Sequence, residues 1–211
     1  MVKPVKLLSA RELVASELRK AILTGKFSEG EEITQEKVAE MLGVSRMPVR
    51  EAISILANDG LLKTFPNKSA IVAEIPDNYI KEHFQVRILL EGEATALACN
   101  NFENLEEIID IHEQHNKAIE DGDIEQVHLL NQSFHIMIWD AAKNKKLKAL
   151  LLQLWNGLSI VDKNKSLIHK HREHDIIIQA FKEKNPEKAR QAMKKHLESS
   201  MKGILNIAKS K

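Results

Sequence analysis

With 211 residues the chain is long enough for one large or two small domains with real cores, and 31 basic residues almost cancelled by 30 acidic ones leave a formal net charge of +1. Any contact with nucleic acid must therefore come from a local basic patch, because overall charge supplies none. A single cysteine, Cys99, excludes a disulfide framework within the chain and reads as a small core residue; no apolar run approaches the roughly 20 residues that cross a bilayer, and no signal-peptide core is visible, so a cytoplasmic protein without membrane contact is expected.

Between Ser9 and Leu23, the apolar positions Leu13, Val14, Leu18, Ala21 and Ile22 recur at helical spacing, and Gly25 ends the run. Ser28-Glu29-Gly30 reads as a turn. Thr34 then caps a short helix carrying Val38, Ala39 and Leu42, and Gly43 supplies the left-handed backbone that a tight helix-to-helix turn needs. Ser45 is placed to cap the next helix, which runs to about Asn58, where Asp59-Gly60 stops it. Arg46 and Arg50 stand four residues apart near its start, on one face, while Pro48 falls in the first turn, where a missing N–H costs nothing. Val49, Ile53, Leu56 and Ala57 make the opposite face apolar. This is the pattern of a helix-turn-helix whose second helix presents two arginines to base edges and phosphates. Two extended runs follow, Leu61 to Phe65 and Ala70 to Ala73, separated by the turn-forming Pro66-Asn67-Lys68-Ser69. Three helices and a hairpin make a winged helix-turn-helix, with Lys68 at the wing tip over the DNA backbone or minor groove.

Ile75-Pro76-Asp77 breaks this pattern, and beyond it the chain has one more proline, Pro186, and no strand signal. Helices are predicted over Asn78 to Asn100, Leu105 to Asp121, Ile124 to Ala142, Lys146 to Val161, about Leu167 to Lys184, and Pro186 to Ala208. The predicted fold class is mainly α. Residues 1–75 form a DNA-binding domain of three helices plus a β-hairpin wing, and residues 76–211 form an antiparallel bundle of about six helices. Asn131 and His135 are four residues apart on one helical face, which lets both reach a single cation, and His174 and His196 come from the last two helices. Imidazole nitrogens with one oxygen donor suit Zn, Ni or Mn. The other histidines, His83, His112, His115, His128, His169 and His171, read as ordinary core or surface residues, with His171 the nearest rival to His174. Glu173 adjoins His174, but helix neighbours point about 100° apart, so no carboxylate is identified beside the histidines. Arg87 and Glu91 form an i,i+4 pair, which at the surface is worth a few tenths of a kcal/mol. Phe134, Met137, Trp139 and Trp155 suit either a pocket lining or the core.

The segments LRKAILTGKFSEGEEI (Leu18 to Ile33) and VAEMLGVSRMPVREAISILANDGLL (Val38 to Leu62), followed by VRILLEGEATALA (Val86 to Ala98), NQSFH (Asn131 to His135) and EHDIIIQAFKEKNPEKARQAMKKHL (Glu173 to Leu197), resemble the GntR-family transcription regulators of the FadR subfamily, with a winged helix-turn-helix and an all-helical FCD-type effector domain. The resemblance covers nearly the whole chain. It implies that Arg46 and Arg50 contact DNA, that Ser45 and Thr34 offer hydroxyls to phosphates, and that Lys68 acts from the wing. The chain departs from the family in two places: Glu36 stands where several relatives have a DNA-contacting arginine, and the wing tip is poor in glycine. The resemblance further implies a metal held by Asn131, His135, His174 and His196. There a neutral amide in place of a carboxylate weakens the hold on the ion and leaves more of its charge for an anionic ligand. By the same resemblance Arg87 points into the cavity and binds the carboxylate of a small organic acid effector. The implied protein is a ligand-responsive regulator, a repressor in the commoner case and not an enzyme. It binds a palindromic double-stranded operator as a homodimer, because a two-fold site needs two recognition helices and one chain supplies one. The alternatives are a metal-dependent hydrolytic enzyme with a DNA-binding head, and a bundle whose metal is only structural.

Overall fold

The computed structural model describes residues 8–65, 69–76, 78–155 and 166–209, and only the backbone of 166–171 and 207–209. Lys68 and the predicted helical residues 156–161 lie outside the described residues, as do the side chains of His169 and His171. The chain divides into two units, one built from Leu8–Ile80 and the other from Lys81–Leu154 with residues 166–204.

In the first unit, helix α1 spans Ala10–Leu23 and opens with a capping box in which the Glu12 carboxylate accepts from the Ser9 backbone N–H at 2.9 Å. Val14, Leu18, Ala21 and Ile22 of the predicted stripe are buried, whereas Leu13 is 45% exposed. Strand β1 (Glu32–Thr34) leads into α2 (Gln35–Leu42), and the Thr34 hydroxyl caps that helix by accepting from the Lys37 N–H at 3.2 Å. Helix α3 (Arg46–Asn58) follows Gly43, whose φ of 66° is the left-handed conformation the turn requires. Ser45 occupies the N-cap position with extended backbone, but its hydroxyl makes no capping bond.

Strands β2 (Leu62–Thr64) and β3 (Ser69–Val72) form the predicted hairpin, and β1 adds to the outer edge of β3 to give an antiparallel sheet of order β1-β3-β2. The register pairs Ile33 with Ala70 and Lys63 with Ile71. Leu18, Ile33, Val38, Val49, Leu56, Leu61 and Ala70 are fully buried in one core that joins helices and sheet. Arg19 is buried beside them. It is ion-paired with Asp59, the residue that ends α3, and donates to the carbonyl of Trp155 at 2.6 Å. Trp155 is thus grouped with this unit.

A methyl group at Gly43 would meet nothing within 4 Å, so Gly43→Ala carries only the conformational cost of placing a Cβ in the left-handed region. That cost is about 1–2 kcal/mol. The expected result is a urea midpoint lowered accordingly; an unchanged midpoint would show that the turn relaxes.

The second unit is built from α4 (Tyr79–Asn101) beyond Ile80, α5 (Glu106–Glu120), α6 (Ile124–Ala141), α7 (Lys145–Leu154), α8 (Ser166–Lys182) and α9 (Pro186–Lys209) as far as Ile204. Asp123 caps α6 by accepting from the Gln126 N–H, and Asn185 caps α9 in the same way from the Lys188 N–H, with Pro186 at the first helical position. Helix α7 ends at Leu154 and Trp155 has left the helix, while the predicted continuation over residues 156–161 lies outside the described residues. Helix α5 packs against α6 and α8. Cys99 is buried as expected, its sulfur 3.6 Å from the Ala180 carbonyl oxygen. Among the described residues, no helix is long and apolar enough to cross a membrane.

Candidate metal centre and nucleic-acid face

The bundle brings three of the four predicted ligands together. His135 from α6, His174 from α8 and His196 from α9 are all buried, and each offers a nitrogen within 4.8 Å of the others. Asn131 lies one turn before His135 on α6 and is also buried, at 8% exposure.

Two buried or half-buried carboxylates orient the ring nitrogens. His135 Nδ1 lies 2.7 Å from Glu91 Oε2, and His196 Nδ1 lies 3.0 Å from Glu173 Oε2. A carboxylate accepts and does not donate, so in the neutral imidazoles these contacts place the proton on Nδ1 and the lone pair on Nε2. The two Nε2 atoms then face one another across 3.3 Å. Two lone pairs aimed at each other at this distance repel unless a cation sits between them. Nitrogens about 2.0–2.1 Å from a tetrahedral ion are roughly 3.4 Å apart, so the observed spacing suits a shared metal.

The third histidine completes this chemistry. His174 is 1% exposed, and its Nε2 has no hydrogen-bond partner. Burial first, and then the neighbouring histidines His196, His115, His135 and His112, hold its basicity well below the usual histidine range, which keeps the ring neutral and its lone pair available. Phe134 lies flat against it, with centroids 4.0 Å apart and planes 14° apart, and fixes the ring plane. An orphaned buried nitrogen beside two carboxylate-oriented imidazoles is a donor set that fits Zn, Ni or Mn.

Arg87 and Glu91 are not the surface pair that their spacing alone suggested. Both side chains are buried, and Arg87 donates to Glu91 Oε1 from Nε at 2.8 Å and from Nη2 at 2.5 Å. Glu91 Oε2 meanwhile receives His135 and, at 3.3 Å, the Trp139 indole N–H. Burial alone would push the Glu91 carboxyl up, but Arg87 and His135 together outweigh it and hold it at about 2. One ionised carboxylate therefore links the arginine to a histidine of the candidate metal centre.

Sequence reasoning missed both carboxylates. Glu173 does diverge from its neighbour His174, but it reaches across to α9, a contact that no spacing rule within α8 can show. His112 and His115 were read as ordinary residues; both are buried on α5 with ligand nitrogens close to His174. Their i,i+3 spacing was the available signal.

In the first unit, Arg46 and Arg50 are exposed on α3, near the N-terminus of the helix. Arg46 Nη1 lies 2.8 Å from Glu36 Oε1 on α2, so the acidic residue that departs from the family pattern is paired with the first of the two arginines. Ser45 is exposed and Thr34 half-buried at the starts of α3 and α2. The four residues occur within one helix-turn-helix.

Comparison with known proteins agrees with both units. Residues 10–72 match the family described as bacterial regulatory proteins, gntR family, and residues 82–199 match the FCD domain. The chain is 32% identical over 191 residues to the uncharacterized HTH-type transcriptional regulator YdhC of Bacillus subtilis (strain 168), covering 86% of this chain and 84% of that protein. It is 30% identical over 200 residues to the probable D-xylose utilization operon transcriptional repressor of Paenarthrobacter nicotinovorans, covering 89% and 87%. Among solved structures, that of E. coli McbR/YncC superposes with a TM-score of 0.74 at 24% identity, over 95% of this chain and 99% of that one, and so has the same fold. The family and these relatives are transcription regulators and not enzymes, which removes the hydrolase alternative. The chain belongs to the gntR family of bacterial regulatory proteins, as a DNA-binding transcriptional regulator with an FCD domain.

Proposed function

We propose that this regulator, placed in the FadR subfamily, is a cytoplasmic repressor that binds a palindromic operator as a homodimer and responds to a small organic acid sensed at a metal in its helical bundle. The division of labour follows residues 1–75 for DNA and 76–211 for metal, effector and dimerisation. The single observation that carries the sensing role is the pair of Nε2 atoms of His135 and His196 facing each other at 3.3 Å, each ring oriented by its own carboxylate. His135, His174 and His196, with the Asn131 amide, hold the ion; when bound, it supplies positive charge to an anionic ligand. Arg87 supplies a second positive group, and an acid that engages it competes with Glu91 and so disturbs the orientation of His135. The relative named as a D-xylose utilization operon repressor supports repression as the output.

The test begins by selecting DNA fragments from the organism's own genome with the purified chain. Affinity for a selected fragment is then measured by fluorescence anisotropy with zinc, with EDTA, and with acetate, succinate and citrate in turn. A coupling of typical size changes the affinity about 5- to 150-fold in at least one of these conditions. An affinity indifferent to zinc, EDTA and all the acids removes the sensing role. Absence of sequence-selective binding removes the operator reading itself.

A further inference from the structure

A second group of histidines in the bundle is not used by the site described above. His112 and His115 stand one turn apart on α5, both 4% exposed, and each offers a nitrogen within 4.8 Å of the other and of one on His174. The rings of His112 and His115 lie 5.7 and 5.5 Å from that of His174, comparable with the 4.7 and 6.0 Å that separate His174 from His196 and His135. His174 thus stands between two pairs of histidines.

His112 repeats the arrangement of the first site. Its Nε2 lies 2.7 Å from Asp175 Oδ1, with the Asn116 amide nitrogen further off at 3.4 Å, so the carboxylate draws the proton to Nε2 and leaves the lone pair on Nδ1. That Nδ1 is buried without a hydrogen-bond partner. A histidine that is almost wholly buried, oriented by a carboxylate on one nitrogen and orphaned on the other, is built like a metal ligand. Two such groups share one ring. As a neutral imidazole His174 carries one lone pair and can serve one ion at a time.

We infer that the bundle has a second, alternative position for a divalent transition ion, formed by His112, His115 and His174, so that one ion per chain occupies either this position or the one formed by His135, His174 and His196. The second position shares His174 with the proposed sensing site but stands on α5 residues that the sensing role does not use.

Cobalt(II) distinguishes the two positions, because its visible absorption reports ligand geometry. The full chain is titrated with cobalt chloride, and bound metal is counted after gel filtration. Wild type is expected to hold one cobalt per chain. His112→Ala/His115→Ala should hold one with the wild-type bands, His135→Ala/His196→Ala should hold one with shifted bands, and His174→Ala should lose the metal. The single variants His112→Asn and His196→Asn replace either double variant that fails to fold by circular dichroism: the first should keep the wild-type bands and the second should show the shifted ones. A folded His135→Ala/His196→Ala or His196→Asn protein without cobalt overturns the second position, and two cobalts per wild-type chain overturn the exclusive use of His174. Cobalt lost from His112→Ala/His115→Ala but kept by His135→Ala/His196→Ala would instead remove the proposed sensing site and leave the second position standing. A wild-type protein that binds no cobalt removes both.

Discussion

Glu91→Ala is expected to lower the unfolding free energy by about 3–5 kcal/mol, the cost of leaving one member of a buried ion pair without its partner. Arg87 is 3% exposed and Glu91 is completely buried, so water cannot readily take the place of the lost carboxylate. Three groups lose an acceptor at once: the Arg87 guanidinium, His135 Nδ1 and the Trp139 indole N–H. Urea unfolding followed by circular dichroism measures the loss. The companion variant, Arg87→Met with Glu91→Leu, removes both charges and should recover most of the stability, because an apolar pair of similar volume avoids burying an uncompensated charge. Recovery of stability without recovery of metal binding would separate the two roles of Glu91. His135 would still lack the acceptor that sets its tautomer, and losing such a partner typically costs about 10- to 100-fold in metal affinity. A Glu91→Ala protein as stable as wild type would mean that the Arg87 guanidinium finds another acceptor.

How far the sequence could be read depended on whether the controlling interaction was local. The helix-turn-helix was legible because each step depends on residues a few positions apart: the Thr34 cap on Lys37, the left-handed Gly43, and the apolar face of Val49, Ile53 and Leu56. Strand β1 was not legible. Three residues show no alternation, and Glu32–Thr34 becomes a strand only because β3 lies alongside to pair with it. The bundle histidines divide in the same way. His135, His174 and His196 entered through motif likeness, and the structure brings them together, whereas the groups that orient them are 44 and 23 residues away in the chain. Glu91 was visible only as the i,i+4 partner of Arg87, and that spacing does not reveal whether the pair faces water or the core. Asp59 illustrates the same limit: the sequence marks it as a helix stop, but its pairing with buried Arg19 depends on how α1 and α3 pack.

Arg46→Ala with Arg50→Ala is expected to abolish specific DNA binding while leaving the thermal midpoint unchanged. Both side chains are exposed on α3, so the fold loses little, and neither is part of the core that Val49, Ile53 and Leu56 seat. An arginine bidentate on guanine contributes about 1–3 kcal/mol of discrimination, so two acting independently amount to roughly 2–6 kcal/mol, at least about 30-fold in Kd. The ion pair between Arg46 and Glu36 does not prevent this. Both partners are half-exposed or more, and opening a surface pair costs little, about 0–1 kcal/mol, so Arg46 can exchange Glu36 for a guanine edge or a phosphate. Glu36 nevertheless places a negative charge beside the start of α3. Glu36→Ala should therefore strengthen binding to all DNA and weaken the preference for the selected fragment, by removing a repulsion that acts on every phosphate and a brace that positions Arg46. Single variants and a salt series then separate the two arginines. Loss of preference at one base pair with an unchanged salt slope marks the arginine that reads a base. A uniform loss on every sequence, with the slope reduced by about one, marks the arginine that holds a phosphate. If the double variant binds the selected fragment as wild type does, α3 is not the reading helix.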